Sequence, residues 1–381
     1  MGTLKADTIT AQTTNGNVTV QGNGTGGVII DGMPHRNLII NGDMRIAQRG
    51  TSFVSAANGI YTLDRWRWRK GSGTGVVTIT QDTDVPTVAE AGTDFKNSLK
   101  IDVTTADASL ASNDGYGIEQ SIEGFNFAHL GAGAANARTV MLSFWVKSTK
   151  TGTFHVGFLN GANNRGYPAS YTVDATNTWE KKTLAVAMDT TGTWVGATND
   201  IGVQLRFTLA VGTDYEGTAN TWNTGTAQQS ASGAANAMDN TANNFLITGV
   251  QLEAGSVATA FEHRDYGSEL ARCQRYYYRI KSHGTASYLF MGHVKTTTSM
   301  RFMMIHPTTM RASPTFAHSG ASDFRGEHAA TTSTPSALSA AGDALEESIM
   351  LSATVPATTA GQSCNLYMIV ADAYIEVKAE L

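Results

Sequence analysis

Hydrophobic and polar positions alternate through most of this chain in short runs, punctuated by Gly, Asn and Thr. A period of two sends successive side chains to opposite faces of an extended strand. The opening residues, 1–33, show the pattern in miniature. Ile9 and Val18-Thr19-Val20 keep the strand period, split by Asn15-Gly16-Asn17 and by Gly22-Asn23-Gly24-Thr25-Gly26-Gly27. Strands this short bury no core alone. They are expected to find partners on other copies of the chain, as in a fibrous, self-associating protein.

Pro34-His35-Arg36 breaks that segment from a second, residues 37–264. NLIINGDMRI supplies Leu38-Ile39-Ile40 and an Asn41-Gly42 turn. DRWRWRK puts Trp66 and Trp68 on one face and Arg65, Arg67 and Arg69 on the other. GVVTITQ, NSLKIDVTT, GYGIEQSI, TVMLSFWVKS, TFHVGFLN, YTVDATNTWEKKTLAVAM, IGVQLRFTLAV and NNFLITGVQLEAG follow. With no convincing amphipathic helix between them, about ten strands predict a β-sandwich or jelly roll. One connection, residues 212–244, is unusually long and nearly uncharged, and carries Tyr215 and Trp222. Loops longer than about 12–15 residues are usually functional or disordered.

The third segment, residues 265–381, starts with SELARCQRYYYRI, read as a short helical turn entering a strand. Further strand-like runs end at Tyr374-Ile375-Glu376-Val377, expected to be tied into a sheet. A smaller β-domain is expected here.

Composition narrows the function. Charged residues are 15% of the 381, net charge is −5, and there is no basic block, so nucleic acid is not expected as a partner. No run of about 18 apolar residues predicts a membrane span. The opening lacks a charged stretch followed by an apolar one, so no secretory signal is expected and synthesis is assigned to a cytoplasm. Cys273 and Cys364 lie far apart and read as buried free thiols.

NLIINGDMRIAQRGTSF, YTLDRWRW, LSFWVKS, TWEKKTLAV and ITGVQLEAGSVATAFEHRDYGSELARCQRYY together resemble a family of bacteriophage tail-fibre and receptor-binding proteins. The opening KADTITAQTTNGNVTVQGNGTGGVIIDG is similar to the intertwined stem of trimeric phage fibres. The middle segment also resembles jelly-roll carbohydrate-binding modules. The resemblance implies a homotrimer on a virion tail, joined to the tail or an adaptor protein through residues 1–33. It implies a jelly roll over 37–264 and a receptor-binding β-domain over 265–381, adhering to host surface polysaccharide. Resembling modules often hold a structural calcium near the Asn-Gly-Asp turn, which makes Asp43 and Glu253 candidate ligands. The alternative is that Asn41-Gly42-Asp43 is simply a tight turn.

The residues themselves argue against catalysis. Glu119 and Glu123, four apart on a strand, would stand roughly 13 Å from each other, wider than glycosidase carboxyl pairs. No Gly-x-Ser-x-Gly elbow, phosphate loop or His-Glu-x-x-His helix is present. Histidines 283, 293, 306, 318 and 328 are spaced too widely for a local metal motif. Trp66 and Trp68 read as core, with the intervening arginines in salt bridges on the outer face or between chains. Trp145, opposite Leu142, Phe144 and Val146, reads as half-exposed or at a subunit contact. Tyr276-Tyr277-Tyr278 must divide between two faces, so one ring is expected to meet another layer or another chain. Tyr116, Tyr167, Tyr215 and Trp222 sit among polar residues and are the glycan-stacking candidates. The expectation is therefore an all-β, non-catalytic tail fibre that binds a host glycan. A depolymerase tail spike and a purely structural tail or collar protein are the alternatives.

Overall fold

The computed structural model describes residues 35–381 apart from Thr285, Ala330, Asp343 and Ala357; the stem expected over 1–33 lies outside the described residues. The fold is all-β. Two six-stranded antiparallel sheets pack face to face as a jelly-roll sandwich. The first orders its strands Ser52–Phe53, Val76–Asp82, Ser98–Thr105, Asn244–Ala254, Thr139–Ser148 and Glu180–Ala187. The second runs Asn223–Thr224, Arg165–Val173, Gly152–Leu159, Ile201–Val211, Gly115–Glu123 and Arg67–Lys70.

The sequence period explains the core. In Thr139–Ser148 the alternate residues Val140, Leu142, Phe144 and Val146 are buried between the sheets. There they join Trp66, Trp68, Phe154, Phe158, Phe207 and Phe245. Phe144 meets Phe207 edge-on, centroids 5.0 Å apart, and Tyr171 likewise at 5.1 Å. Such edge-to-face pairs add to the area term.

Trp145 corrects an expectation. It faces away from the core but is only 8% exposed. Residues 85–95 fold over it, and it packs with Phe95, Trp179 and Leu246 in a separate apolar cluster. The cover holds a one-turn helix, Val88–Ala91, with a reciprocal capping box between Thr87 and Glu90. The half-exposed ring of the sequence reading is thus closed over by a segment of the same chain.

The Asn-Gly-Asp sequence is a turn stapled by its own amide. Asn41 has φ +57°; its Nδ2 donates to Ile46 O (2.9 Å) and Asp64 O (3.0 Å), and its Oδ1 accepts from Ile46 N (2.9 Å). A Cβ at Gly42 would sit 2.1 Å from Val250 O, so only glycine fits there.

Residues beyond 264 form a helix and two further sheets. The helix Tyr266–Gln274 is capped by the Asp265 side chain, which accepts from Ser268 N. It is longer than the single turn expected. A three-stranded sheet orders Tyr277–Lys281, Tyr374–Lys378 and Thr315–His318. A seven-stranded sheet shares a core with it, built on Met300, Phe302, Met304, Leu351, Leu366, Met368, Ile375 and Val377.

The three tyrosines serve three environments. Tyr276 packs with Ile40, Ile46 and Cys273 under the jelly roll. The Tyr277 hydroxyl donates to Glu376 (2.8 Å), and Tyr278 lies in the C-terminal core with its hydroxyl 2.6 Å from His306 Nδ1. Around Tyr276 and Tyr277 the two β-regions are sewn together. Arg65, 1% exposed, stacks 3.5 Å from the Tyr276 ring centre and pairs with Glu380. Arg49 stacks 3.4 Å from that of Tyr277 and also reaches Glu380 (2.8 Å). Arg311 donates to Ala379 O (2.7 Å), Glu380 O (3.0 Å) and Asn199 O (2.8 Å). Arg275 grips Glu123 through two nitrogens at 2.9 and 3.0 Å.

Candidate functional site

The long connection over 212–244 is ordered by its own polar side chains. A short 3-10 turn at Thr213–Tyr215 leads to Glu216–Gly217, which pairs parallel with Ser230–Ala231. Asn223–Thr224 adds an edge to the second jelly-roll sheet, opposite Gly166 and Arg165. Asn223 locks the bend between them, accepting from Thr218 N (2.9 Å) and donating to Thr218 O (2.9 Å) and Thr221 O (2.8 Å). Asn220, at φ +57°, accepts from Ser170 N (2.9 Å). The residues that make this segment polar are the ones that fix its backbone.

This locked loop presents Trp222. Its indole nitrogen donates to Ala187 O (2.8 Å). Its ring lies 5.3 Å from that of Tyr167 and 5.3 Å from that of Trp194, the latter edge-on at 88°. Trp194 in turn stacks on the buried Phe127 at 6.0 Å. The three rings Tyr167, Trp194 and Trp222 are half-buried against the sandwich core, forming a shelf with apolar backing. Behind Trp194, Arg165 grips Asp189 at 2.5 and 2.8 Å. Burial would raise the Asp189 carboxyl, but bonds from Arg165 and Thr191 outweigh it and hold it below the usual range.

Trp222 also walls an open cavity of about 570 Å³, lined further by hydroxyl and amide groups including Thr218, Thr221, Asn223 and Gln228, and by one carboxylate, Glu216. An aromatic ring beside amides and hydroxyls suits a ligand with one apolar face and many hydroxyls.

The four aromatic candidates separate. Tyr167 and Trp222 come together. Tyr215 lies apart from them, its ring over Gly115, where a Cβ would stand 3.4 Å from it. Tyr116 is corrected: it is 2% exposed and belongs to the core. Its hydroxyl donates to Asp107 (2.6 Å) and accepts from Gly75 N (2.8 Å), and burial pushes its ionisation far up. It offers no ring face to a ligand. Trp194 was not singled out from sequence, although it sits in the equally polar stretch DTTGTWVGATND.

The two candidate calcium ligands are each engaged by other groups of the protein. Glu253 accepts from Thr259 N (2.9 Å), Thr259 Oγ1 (2.7 Å) and Gln251 Nε2 (3.0 Å), with Arg36 3.6 Å away. Asp43 pairs with Arg45 at 3.1 Å, and burial raises its carboxyl against that pairing. Among the described residues no group of three or more His, Cys, Asp or Glu could hold a metal ion. Glu119 and Glu123 stand on one strand, each on its own arginines: Arg206 at 2.7 Å for the first and Arg275 at 2.9 Å for the second.

No protein-family model matches the chain, and no curated protein matches it. Solved structures do. One is the enzymatically active domain of tailspike protein 4 of bacteriophage CBA120 (17% identity, TM-score 0.28), over 53% of this chain and 21% of that one. Another is a CBM4 structure (16% identity, TM-score 0.30), over 56% of this chain and 97% of that one. A third is the family 11 carbohydrate-binding module of a cellulosomal cellulase of Clostridium thermocellum (12% identity, TM-score 0.27), over 56% of this chain and 98% of that one. The functional reading below rests on the site's own geometry.

Proposed function

We propose that this chain is a phage tail fibre that binds a host-surface glycan without cutting it, working as a homotrimer in the virion tail and joined to the tail or an adaptor through its N-terminal part. The observation that carries the reading is the shelf of Tyr167, Trp194 and Trp222 beside a cavity lined by hydroxyls, amides and the Glu216 carboxylate. Sugar rings stack their apolar faces on such aromatics while their hydroxyls meet amides. The shelf lies in the jelly roll, the segment that holds all four aromatic candidates, and supports a glycan contact there beside the receptor role that the resemblance gives the C-terminal domain.

Adhesion rather than hydrolysis is supported by the one carboxylate pair that the sequence offers for catalysis. A glycosidase needs one carboxyl free to hold a proton and another free to attack or to activate water. Glu119 and Glu123 are both committed to guanidinium partners. Self-association is supported by the outer face of the seven-stranded sheet, where Tyr288, Met291, Met303 and Ile305 are exposed. Contiguous apolar surface of this kind marks interaction sites. Three copies would multiply weak sugar contacts, since a second contact at millimolar effective concentration raises avidity by about a hundredfold or more.

A glycan array probed with the full chain and with Trp222→Ala tests the reading. Binding to at least one bacterial polysaccharide, lost in the variant, supports it. Silence of the wild-type chain across the array sinks it, and a falling viscosity of a bound polysaccharide replaces adhesion by depolymerisation.

A further inference from the structure

A second cavity lies on the outer face of the same sheet and shares no lining residue with the first. Its floor is set by register. Arg67 pairs with Glu119, and Glu119 with Arg206, so three neighbouring strands carry a cation, an anion and a cation in one row. Arg69 stands two residues along on the same face. Glu119 is the one carboxylate these three arginines share, at 3.8 Å from Arg67, 3.5 Å from Arg69 and 2.7 Å from Arg206. Over the row lies a space of about 350 Å³ whose lining includes Arg69, Lys70, Arg206, Asn58, Asn163 and Tyr215, with no Asp or Glu among its lining residues.

The cations are not equally engaged. Arg206 is saturated: it donates to Glu119 (2.8 Å), Gln229 (2.6 Å) and Gln204 (3.0 Å). Arg69 is not. Its side chain is 34% exposed, its one contact with Glu119 is long, and its terminal nitrogens bond to no other described residue. Burial pulls its ionisation down, and the charges of Arg206 and Arg67 add to that pull against the opposing Glu119. The Lys70 ammonium has no ion pair or hydrogen bond among the described residues. A neutral acceptor is also left over: Asn163 Oδ1 is buried and accepts from nothing. Tyr215, held by its backbone carbonyl to Gln229 N (3.0 Å), supplies a half-buried ring as one wall.

The geometry points to this cavity as a second binding site, for a carboxylated sugar, with the carboxylate on the free fork of Arg69 beside Lys70, a hydroxyl donating to Asn163 Oδ1, and the ring against Tyr215. Two parallel N–H donors match a carboxylate better than any neutral group does. An entering anion also relieves repulsion among cations that share one acid. The aromatic wall and spare amide acceptor select a sugar acid over a bare inorganic anion. The site stands whether or not the Tyr167–Trp194–Trp222 shelf binds neutral glycan.

Calorimetric titration of the full chain with D-glucuronate, D-glucose and inorganic phosphate tests it. Glucuronate should bind at least about tenfold more tightly than either glucose or phosphate, weakening as salt rises. Arg69→Gln should lower glucuronate affinity about tenfold or more, while Arg69→Lys, which keeps the charge and loses the fork, should fall between. Lys70→Gln gives the same readout, at smaller size, should Arg69→Gln fail to fold. Equal affinity for glucuronate and glucose, phosphate binding as tight as glucuronate, or an Arg69→Gln variant that titrates like wild type each overturns the assignment. Failure of the shelf reading is seen separately, as array binding that Trp222→Ala leaves unchanged, and does not touch this result.

Discussion

The jelly roll and the C-terminal domain are built from the same alternating strands but treat their outer faces in opposite ways. In the jelly roll, both outer faces are furnished by the chain itself: residues 85–95 close over Trp145 and Trp179, and the 212–244 connection folds onto the second sheet. The exposed rings that remain are backed, oriented and flanked by amides. In the C-terminal domain, one face of the seven-stranded sheet meets a methionine-rich core and the other carries Met291 at 80% exposure and Ile305 at 78%. Alternation specifies a strand; whether its second face is sculpted or bare depends on segments far away in sequence. The sculpted face suits small hydroxylated ligands, and the bare one suits a large apolar partner such as another copy.

The comparison can be tested at several depths. Phe207→Ala removes a ring at the centre of the sandwich and should cost about 4 kcal/mol, read as a fall in the chemical-denaturation midpoint of the jelly roll. Arg65→Ala leaves Glu380 with Arg49 alone and unstacks Tyr276; a loss of about 3 kcal/mol is expected, with one calorimetric transition splitting into two as the regions uncouple. An unsplit transition would mean that the seam does not couple them.

Acid should strike the C-terminal side through Glu376. Burial raises its carboxyl, but bonds from Lys378, Arg279 and Tyr277 outweigh this and hold it at about 2 against an ordinary 4.5. Its contribution is complete above 4.5 and is lost as pH falls toward 2. Glu376→Gln should flatten the loss of stability in that window.

Trp222→Ala loses a hydrogen bond and two ring contacts and should cost about 1–2 kcal/mol, while weakening glycan binding about tenfold, or about 1.4 kcal/mol. The smallest effect on folding belongs to Met303→Lys with Ile305→Lys: within about 0.5 kcal/mol in stability, but a fall in the assembly mass measured by light scattering. An unchanged mass would show that the bare face is not where copies meet.

Much of this fold is legible in the sequence, and the reasons are local. TVMLSFWVKS, IGVQLRFTLAV and NNFLITGVQLEAG carry the period of two and become strands Thr139–Ser148, Ile201–Val211 and Asn244–Ala254. Trp66 and Trp68 read as core and are buried. What escapes is non-local. GYGIEQSI reads as a strand and Gly115–Glu123 is one, but its burial on both faces, Tyr116 included, is set by distant sheet and loop. Trp194 met the same criterion as Trp222, an aromatic in a polar stretch, and only the three-dimensional neighbourhood distinguishes a shelf from an isolated ring. The arginine row around Glu119 is invisible in one dimension, because its members come from three strands joined only by register.

Glu380 reaches across 315 positions to settle Arg65. During synthesis, the guanidinium keeps its water until Tyr276 and Glu380, which cover it, have left the ribosome. The seam closes only when that late carboxylate arrives. Contacts of such sequence separation slow folding. Final closure of the fold is expected to be gated by the delivery of one late acidic residue.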